Sequence, residues 1–333
     1  MAVLMRRIIL LLLIFLAATL LLAKQVQRLL FDSKTLLGPV VFEVKPGHRF
    51  SQISRELEQL SVIRQATALT WYAAFSGLDR RVKAGEYLFQ GPISAQDVLQ
   101  QMVNGKVRNY QLTIPEGWTY AQFTEALQAH PVMKDKPIPP ADVLLSSLGS
   151  QQQHPEGLFF PSTYYFSSQN DPESVLIQAY RRQQTELASA WSGRSDNLPY
   201  KSPYDALIMA SIIEKETGQA SERSTVAGVF VRRLQKRMLL QTDPTVIYGL
   251  GKDFDGNLTR RHLHHHGSPY NTYRYPGLPP TPIALPGAES LHAALHPAAG
   301  NSLYFVAKGD GSHAFSATLA DHQRAVRKYQ LRR

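Results

Sequence analysis

The sequence predicts an α+β protein carried on a single N-terminal membrane helix. Three observations predict it. An uncharged apolar run opens the chain, a strand-turn-helix unit occurs twice at a constant offset, and long helical patterns give way downstream to short strand-like runs between turns. At 333 residues, 44% of them hydrophobic, the chain is long enough for two domains once the anchor is set aside.

In chain order, Arg6 and Arg7 precede Ile8 to Ala23, a run with no charge and only Thr19 as a polar residue, and Lys24 closes it. At about 1.5 Å per residue the run is near the short limit of a membrane span, and the flanking basic side chains can snorkel to extend it. The residues before Lys24 are Leu21-Leu22-Ala23, which lack a small-x-small cleavage site, so 1–24 is expected to be an uncleaved signal anchor. Arg6 and Arg7 would then stay on the cytoplasmic side of an inner membrane, with the C-terminal bulk on the periplasmic side. The formal charge of +10 suits an anionic partner, but export argues against nucleic acid, and no nucleic-acid-binding signature occurs. With no cysteine, the chain has no disulfide, thiolate-zinc site or thiol nucleophile.

Residues 25–39 read as a linker and 40–110 as a small domain. Val41 to Val44 reads as a strand, Lys45-Pro46-Gly47 as a turn, and Phe50 to Leu60 as a helix with Ile53, Leu57 and Leu60 inward. The pattern recurs: Gly47, Phe50, Gln52, Ile53 and Leu57 have counterparts in Gly117, Tyr120, Gln122, Phe123 and Leu127, each 70 residues on. A constant offset over such a unit indicates a duplicated element whose glycine permits the turn. Between the copies, Ala66 to Phe75 reads as a helix, Ala84 to Phe89 as a strand, and Ser94 as the cap of a helix carrying Val98, Leu99 and Met102.

From 111 to the end a second, larger domain is expected. Residues 131–154, rich in Pro, Ser and Gln, read as a loop or insertion. The following Pro155 to Phe166 holds five aromatics within eight residues, either a buried strand pair or a platform for stacking sugars. A long helix spans Pro172 to Trp191. Another runs from about Tyr204 to Thr217, stopped by Gly218, and carries Glu214 and Glu216 at its end. At about 100° per residue Glu216 shares a face with Met209, Ile212 and Ile213, whereas Glu214 points with Ala210 and Ser211. The two acids cannot aim into one cleft. A carboxylate on an apolar stripe is desolvated, which raises its pKa and suits it to act as a general acid. Ser221 is expected to cap the next helix, with Glu222 in its first turn. Beyond Met238, Asp243-Pro244 marks a turn, Leu303 to Ala307 and His313 to Phe315 a hairpin through Gly309-Asp310-Gly311, and a basic helix ends the chain.

Several segments of the larger domain occur together: the acidic helix, Gln241-Thr242-Asp243-Pro244-Thr245-Val246-Ile247-Tyr248-Gly249, Tyr270-Asn271-Thr272-Tyr273, Gly277-Leu278-Pro279-Pro280 and Pro286-Gly287-Ala288. In this order they resemble the endolytic murein transglycosylases of the MltG (YceG-like) family, and the first strand-turn-helix copy resembles a LysM module, which in its family binds N-acetylglucosamine polymers. The resemblance implies that Glu216, followed by Thr217 much as a serine follows the acid of lysozyme-like transglycosylases, acts as general acid and base, with Glu214 as the alternate. Gln241, Thr242, Asp243, Tyr270, Asn271 and Tyr273 would bind peptidoglycan strands, with no cofactor and no metal, and cell-wall synthases would be partners. The chain departs from the family pattern at Ser162, where aspartate is common, at Thr281, where glycine is usual, and at Leu285, where a small polar residue is usual.

Two other classes stay open: a non-catalytic peptidoglycan-binding scaffold, and a water-using muramidase with Asp243 as the second carboxylate. The histidine run His262, His264, His265 and His266 lacks the fixed spacing of a catalytic metal site.

Overall fold

The computed structural model describes residues 2–331; Met1, Arg332 and Arg333, which the expected anchor and C-terminal domain include, lie outside the described residues. Two compact units divide the chain, one running to Tyr110 and taking in Tyr165–Asn170, the other built from Gln111–Tyr164 and the chain from Asp171 onward.

The first unit contains α1 (Ala2–Leu30), β1 (Lys34–Thr35), β2 (Val40–Val44), α2 (Phe50–Gln59), α3 (Ala66–Ser76), β3 (Gly85–Phe89), β4 (Pro92–Ile93) and α4 (Ala95–Asn104). Its α1 is apolar enough over Met5–Leu30 to cross a membrane. The helix does not end at Lys24, because the residues after it contain no glycine or proline to stop it, and Leu30 is buried in the unit's core. Much of the expected linker is therefore structured. Antiparallel β2 and β3 set Phe42 opposite Tyr87, and β1 pairs with β4. Phe50, Ile53 and Leu57 of α2 and Val98, Leu99 and Met102 of α4 fill the core beneath them. Ser94 and Asp97 form a reciprocal capping box that starts α4, as its sequence position predicts.

Next come β5 (Tyr110–Thr113), α5 (Tyr120–Ala129), α6 (Ala141–Ser147), β6 (Thr163–Phe166), α7 (Pro172–Ser192), α8 (Pro203–Glu216) and α9 (Arg223–Gln235). After them the chain forms α10 (Asp243–Leu250), α11 (Arg260–His264), α12 (Ala288–Leu295), β7 (Tyr304–Ala307), β8 (His313–Ser316) and α13 (Leu319–Tyr329). The unit boundary falls within β5 and within β6. The 70-residue offset is visible in the backbone: α2 and α5 start at 50 and 120, and the glycines before them have φ of +80° and +77°.

In the second unit α8 is the central helix, packed by α7, α9, α10 and α12. Every residue from Ala206 to Ile213 is buried, so its apolar stripe wraps all round rather than marking one face.

Several expectations are corrected. Residues 131–154 are not a plain loop: Leu144 and Leu145 are apolar enough to fold α6 onto the core, and Met133 is buried as well. The aromatic run supplies one strand, and Leu158, Phe159, Phe160, Tyr164 and Phe166 are buried, leaving Tyr165 as its exposed ring. Asp243-Pro244 is no turn but the start of α10, where proline's missing N–H costs nothing. A 3₁₀ turn occupies Ala220–Glu222 before α9, so Ser221 caps nothing. Thr217 takes the C-cap of α8 in extended conformation, and Gly218 has no left-handed φ.

Candidate functional site

A cleft of about 450 Å³ opens where the C-terminal end of α8, the start of α10 and the β7–β8 hairpin meet. Glu216, Arg233, Gln241, Asp243, Tyr273 and His313 supply its polar lining, and Leu240, Tyr304 and Val306 its apolar wall. Glu216 is the last residue of α8. Burial pushes its carboxyl up to about 7, the Thr242 hydroxyl pulls it back by donating to Oε1, and neighbouring Asp243 raises it again, while His313 and Arg233 lower it. The unpaired carbonyls at a helix C-terminus also disfavour a negative charge there. The result is an acid that can be neutral or ionised near neutral pH.

Thr242 occupies the N-cap position of α10 yet makes no cap hydrogen bond; its side chain is turned instead toward Glu216, to which its hydroxyl donates. A rivet holds it in place. Gln241 N–H donates to Thr272 O at 3.1 Å, Thr242 N–H to Thr272 Oγ1 at 3.1 Å, and the Thr245 and Thr272 hydroxyls lie 2.8 Å apart. Gln241 itself adopts a left-handed φ of +51°, a strained conformation for a non-glycine residue, beside the acid. Tyr273 donates to Asp243 Oδ1 at 2.6 Å, and burial together with that bond drives its phenol upward in pKa.

The other expected residues lie elsewhere. Glu214 accepts from the Gly287 N–H at 3.0 Å, at the start of α12, and does not line this cleft. Asn271 is buried and its amide donates to the carbonyls of His262, Leu263 and His265, which fixes the histidine-bearing loop from within. Tyr270 shares a hydrogen bond with Thr281 at 2.8 Å and sits edge-on to Tyr248 at 5.0 Å. The three departures from the family pattern are all engaged. Ser162 accepts from Arg182 at 2.7 Å, Thr281 bonds Tyr270, and Leu285 is buried with its N–H donating to Trp118 O at 2.7 Å.

A second carboxyl, Glu156, is also pushed up to about 7 by burial, where it accepts from Tyr120 N–H at 2.9 Å and Tyr248 Oη at 3.1 Å. It does not line the cleft, so access to an open groove, rather than the shifted pKa alone, distinguishes Glu216.

Arg233 and the Glu222–His313 pair are site residues that sequence reasoning missed. Arg233, 8% exposed, donates to the carbonyls of Leu240 at 2.8 Å and Leu303 at 2.7 Å and lies 5.1 Å from the Tyr304 ring centroid. Its signal was present, since it continues the buried register of Val226, Val229 and Phe230 along α9. Glu222 takes the His313 N–H at 3.0 Å and its Nδ1 at 2.7 Å, turning the imidazole into a fixed part of the cleft wall. Among the described residues, no group of three or more His, Asp or Glu side chains is placed to hold a metal ion.

Comparison with known proteins adds what geometry leaves open. The YceG-like family matches residues 42–328. An endolytic murein transglycosylase of Bacillus subtilis (strain 168) is 32% identical over 319 residues, 90% of this chain and 86% of that protein. Another of the same name, from Streptococcus pneumoniae serotype 2 (strain D39 / NCTC 7466), is 26% identical over 87% of this chain, which spans 58% of that longer relative. The crystal structure of a yceG-like protein from Listeria monocytogenes is similar with a TM-score of 0.54 at 32% identity, covering 86% of this chain and 99% of that one.

Proposed function

Since this chain belongs to the YceG-like family, we propose that it is an endolytic murein transglycosylase whose Glu216 serves first as general acid and then as general base. The observation that carries the assignment is the placement of Glu216: a desolvated carboxyl, near 7, that is both hydrogen-bonded by Thr242 and part of the lining of a cleft of about 450 Å³. Protonated Glu216 gives its proton to the glycosidic oxygen between N-acetylmuramic acid and N-acetylglucosamine as that bond breaks. The carboxylate so formed takes the proton from the muramyl 6-hydroxyl while its oxygen bonds to the anomeric carbon, closing a 1,6-anhydro ring. No water enters, and the acid is restored to its starting state. Thr242 holds the carboxyl in line, and Arg233 and His313 supply positive or hydrogen-bonding character around the carboxylate phase of the cycle.

On the same reading α1 is a single-pass inner-membrane anchor with the C-terminal bulk outside, residues 40–110 form a LysM-like glycan binder, and cell-wall synthases are partners. A second reading has one observation in its favour. Asp243 faces the same cleft, where it could activate a water for hydrolysis. Digestion of glycan strands followed by mass spectrometry separates the readings: the proposal expects 1,6-anhydro-N-acetylmuramic ends, hydrolysis gives reducing ends heavier by one water, and a scaffold releases nothing. Glu216→Gln should lower turnover by about 10² to 10⁴ with strand binding retained, whereas Glu214→Gln, tied to the Gly287 N–H away from the cleft, should be much milder.

A further inference from the structure

Helix α3 has two faces of opposite fate. Ala66, Leu69 and Ala73 are buried in the first unit's core, while on the other side Trp71 is 77% exposed and Phe75 is 96% exposed. One helical turn apart, the two rings share a face, and each is more exposed than Phe15 within the apolar helix α1, at 69%. Large rings left this bare on a folded unit mark an interaction surface.

Its position identifies the occupant. Phe31, the residue after α1, packs edge-on to Tyr72 of α3 with ring centroids 5.8 Å apart, and Leu30 belongs to the same core as Leu69 and Ala73. Trp71 and Phe75 therefore sit on a helix clamped to the point where α1 leaves the bilayer. The uncharged run Ile8–Ala23 has 16 residues, about 24 Å at 1.5 Å each against roughly 30 Å of hydrocarbon, so a bilayer centred on it has its outer hydrocarbon edge near Val26, with Lys24 snorkelling outward. Phe31, five residues further along the helix axis, then lies about 8 Å outside the hydrocarbon, in the headgroup layer. Tryptophan is enriched at this depth, and the exposed Arg80 and Arg81, just beyond the α3 cap at Gly77, can meet lipid phosphates, with Asp79 the acid beside them.

We propose that the exposed face of α3 is a lipid-contacting surface, with Trp71 and Phe75 immersed in the interfacial layer of the bilayer that α1 crosses. This inference rests on α1 being a membrane span but is independent of the chemistry at Glu216. It makes the first unit a body laid against the membrane at two points instead of one swinging on a tether.

The absence of cysteine makes the test direct. Single cysteines at Thr67 and Ala74, both exposed and flanking the rings without replacing them, are spin-labelled in the full chain reconstituted into phosphatidylethanolamine–phosphatidylglycerol vesicles. Labels at Ala17 in α1 and at Glu58, a solvent-exposed position of α2, are the references. The proposal expects 67 and 74 to meet oxygen in preference to a water-soluble nickel chelate, several-fold more than Glu58 and less than Ala17. It is overturned if both labels are as open to the chelate as Glu58 while Ala17 lies in lipid, an outcome that leaves the anchor standing. Protection from both reagents also overturns it, since another protein surface would then cover the face. A water-exposed Ala17 label would remove the anchor and the proposal together.

Discussion

At Glu216 the pKa, the hydrogen bond and the groove combine into a pH prediction with a definite sign. In the proposed cycle Glu216 starts protonated, so kcat/KM on glycan strands should be level below about 7 and fall tenfold per pH unit above it. Thr242→Val removes the donor that favours the carboxylate and leaves burial opposed only by His313 and Arg233, which should move that falling limb to higher pH. Stability carries the same signature. The folded value near 7 exceeds the ordinary 4.5, so the folded state holds a proton that the unfolded chain releases between them, and stability falls as pH rises through that window. Glu216→Gln has no proton to lose. Its melting temperature should match wild type near pH 4 and exceed it above pH 8, by a difference on the order of 2–3 kcal/mol in stability. Equal pH profiles for the two proteins would count against the buried acid.

Whether an element was legible depended on where its partners lie along the chain. A charged residue on an apolar helix is a local signal, which is why Glu216 could be singled out from the spacing of its neighbours and why Arg233 could have been. Helix α6 was hidden because prolines and serines around Leu144 and Leu145 outweigh a pair of apolar residues in any local reading, although burial of that pair is what folds it. Locally Glu222 reads as a first-turn acid, yet it serves His313, 91 residues away, a pairing that exists only once the β7–β8 hairpin has docked. Thr242 stood inside a recognisable motif, but its hydroxyl's choice of Glu216 over capping α10 is a tertiary fact. Arg233 joins these elements, holding the carbonyls of Leu239 and Leu240 before α10 and of Leu303 before β7. Arg233→Met keeps the apolar stem but orphans those acceptors, and a loss of about 2–4 kcal/mol in chemical denaturation is expected, with activity falling as well because Gln241 and Thr242 follow directly. Arg233→Lys should restore only part of it, since an ammonium cannot span the acceptors as a guanidinium does.

Over the whole molecule, the two units carry separate cores, one gathered around Leu57, Leu99 and Tyr87, the other around α8 with Phe230 and Leu291. A core acts as a cooperative body because its side chains lose their contacts together, so a chain with two cores is free to show two transitions instead of one. Truncating a buried leucine costs the transfer energy of the lost atoms and leaves a cavity, about 2–5 kcal/mol. Leu57→Ala should therefore lower the denaturation midpoint of one transition of the full chain in detergent, while Phe230→Ala, with about 3–5 kcal/mol at stake, should lower the other. The assignment can be read from Trp71, in the first unit, against Trp118 and Trp191 in the second, by leaving one tryptophan at a time as the fluorescent probe. If Leu57→Ala shifts the signals of Trp71 and Trp191 equally, the units unfold as one and separate cores do not imply separate stabilities here. If only Trp71 responds, glycan cleavage by the second unit should survive conditions that have already melted the first, because Glu216, Thr242, Arg233 and His313 all belong to the second unit.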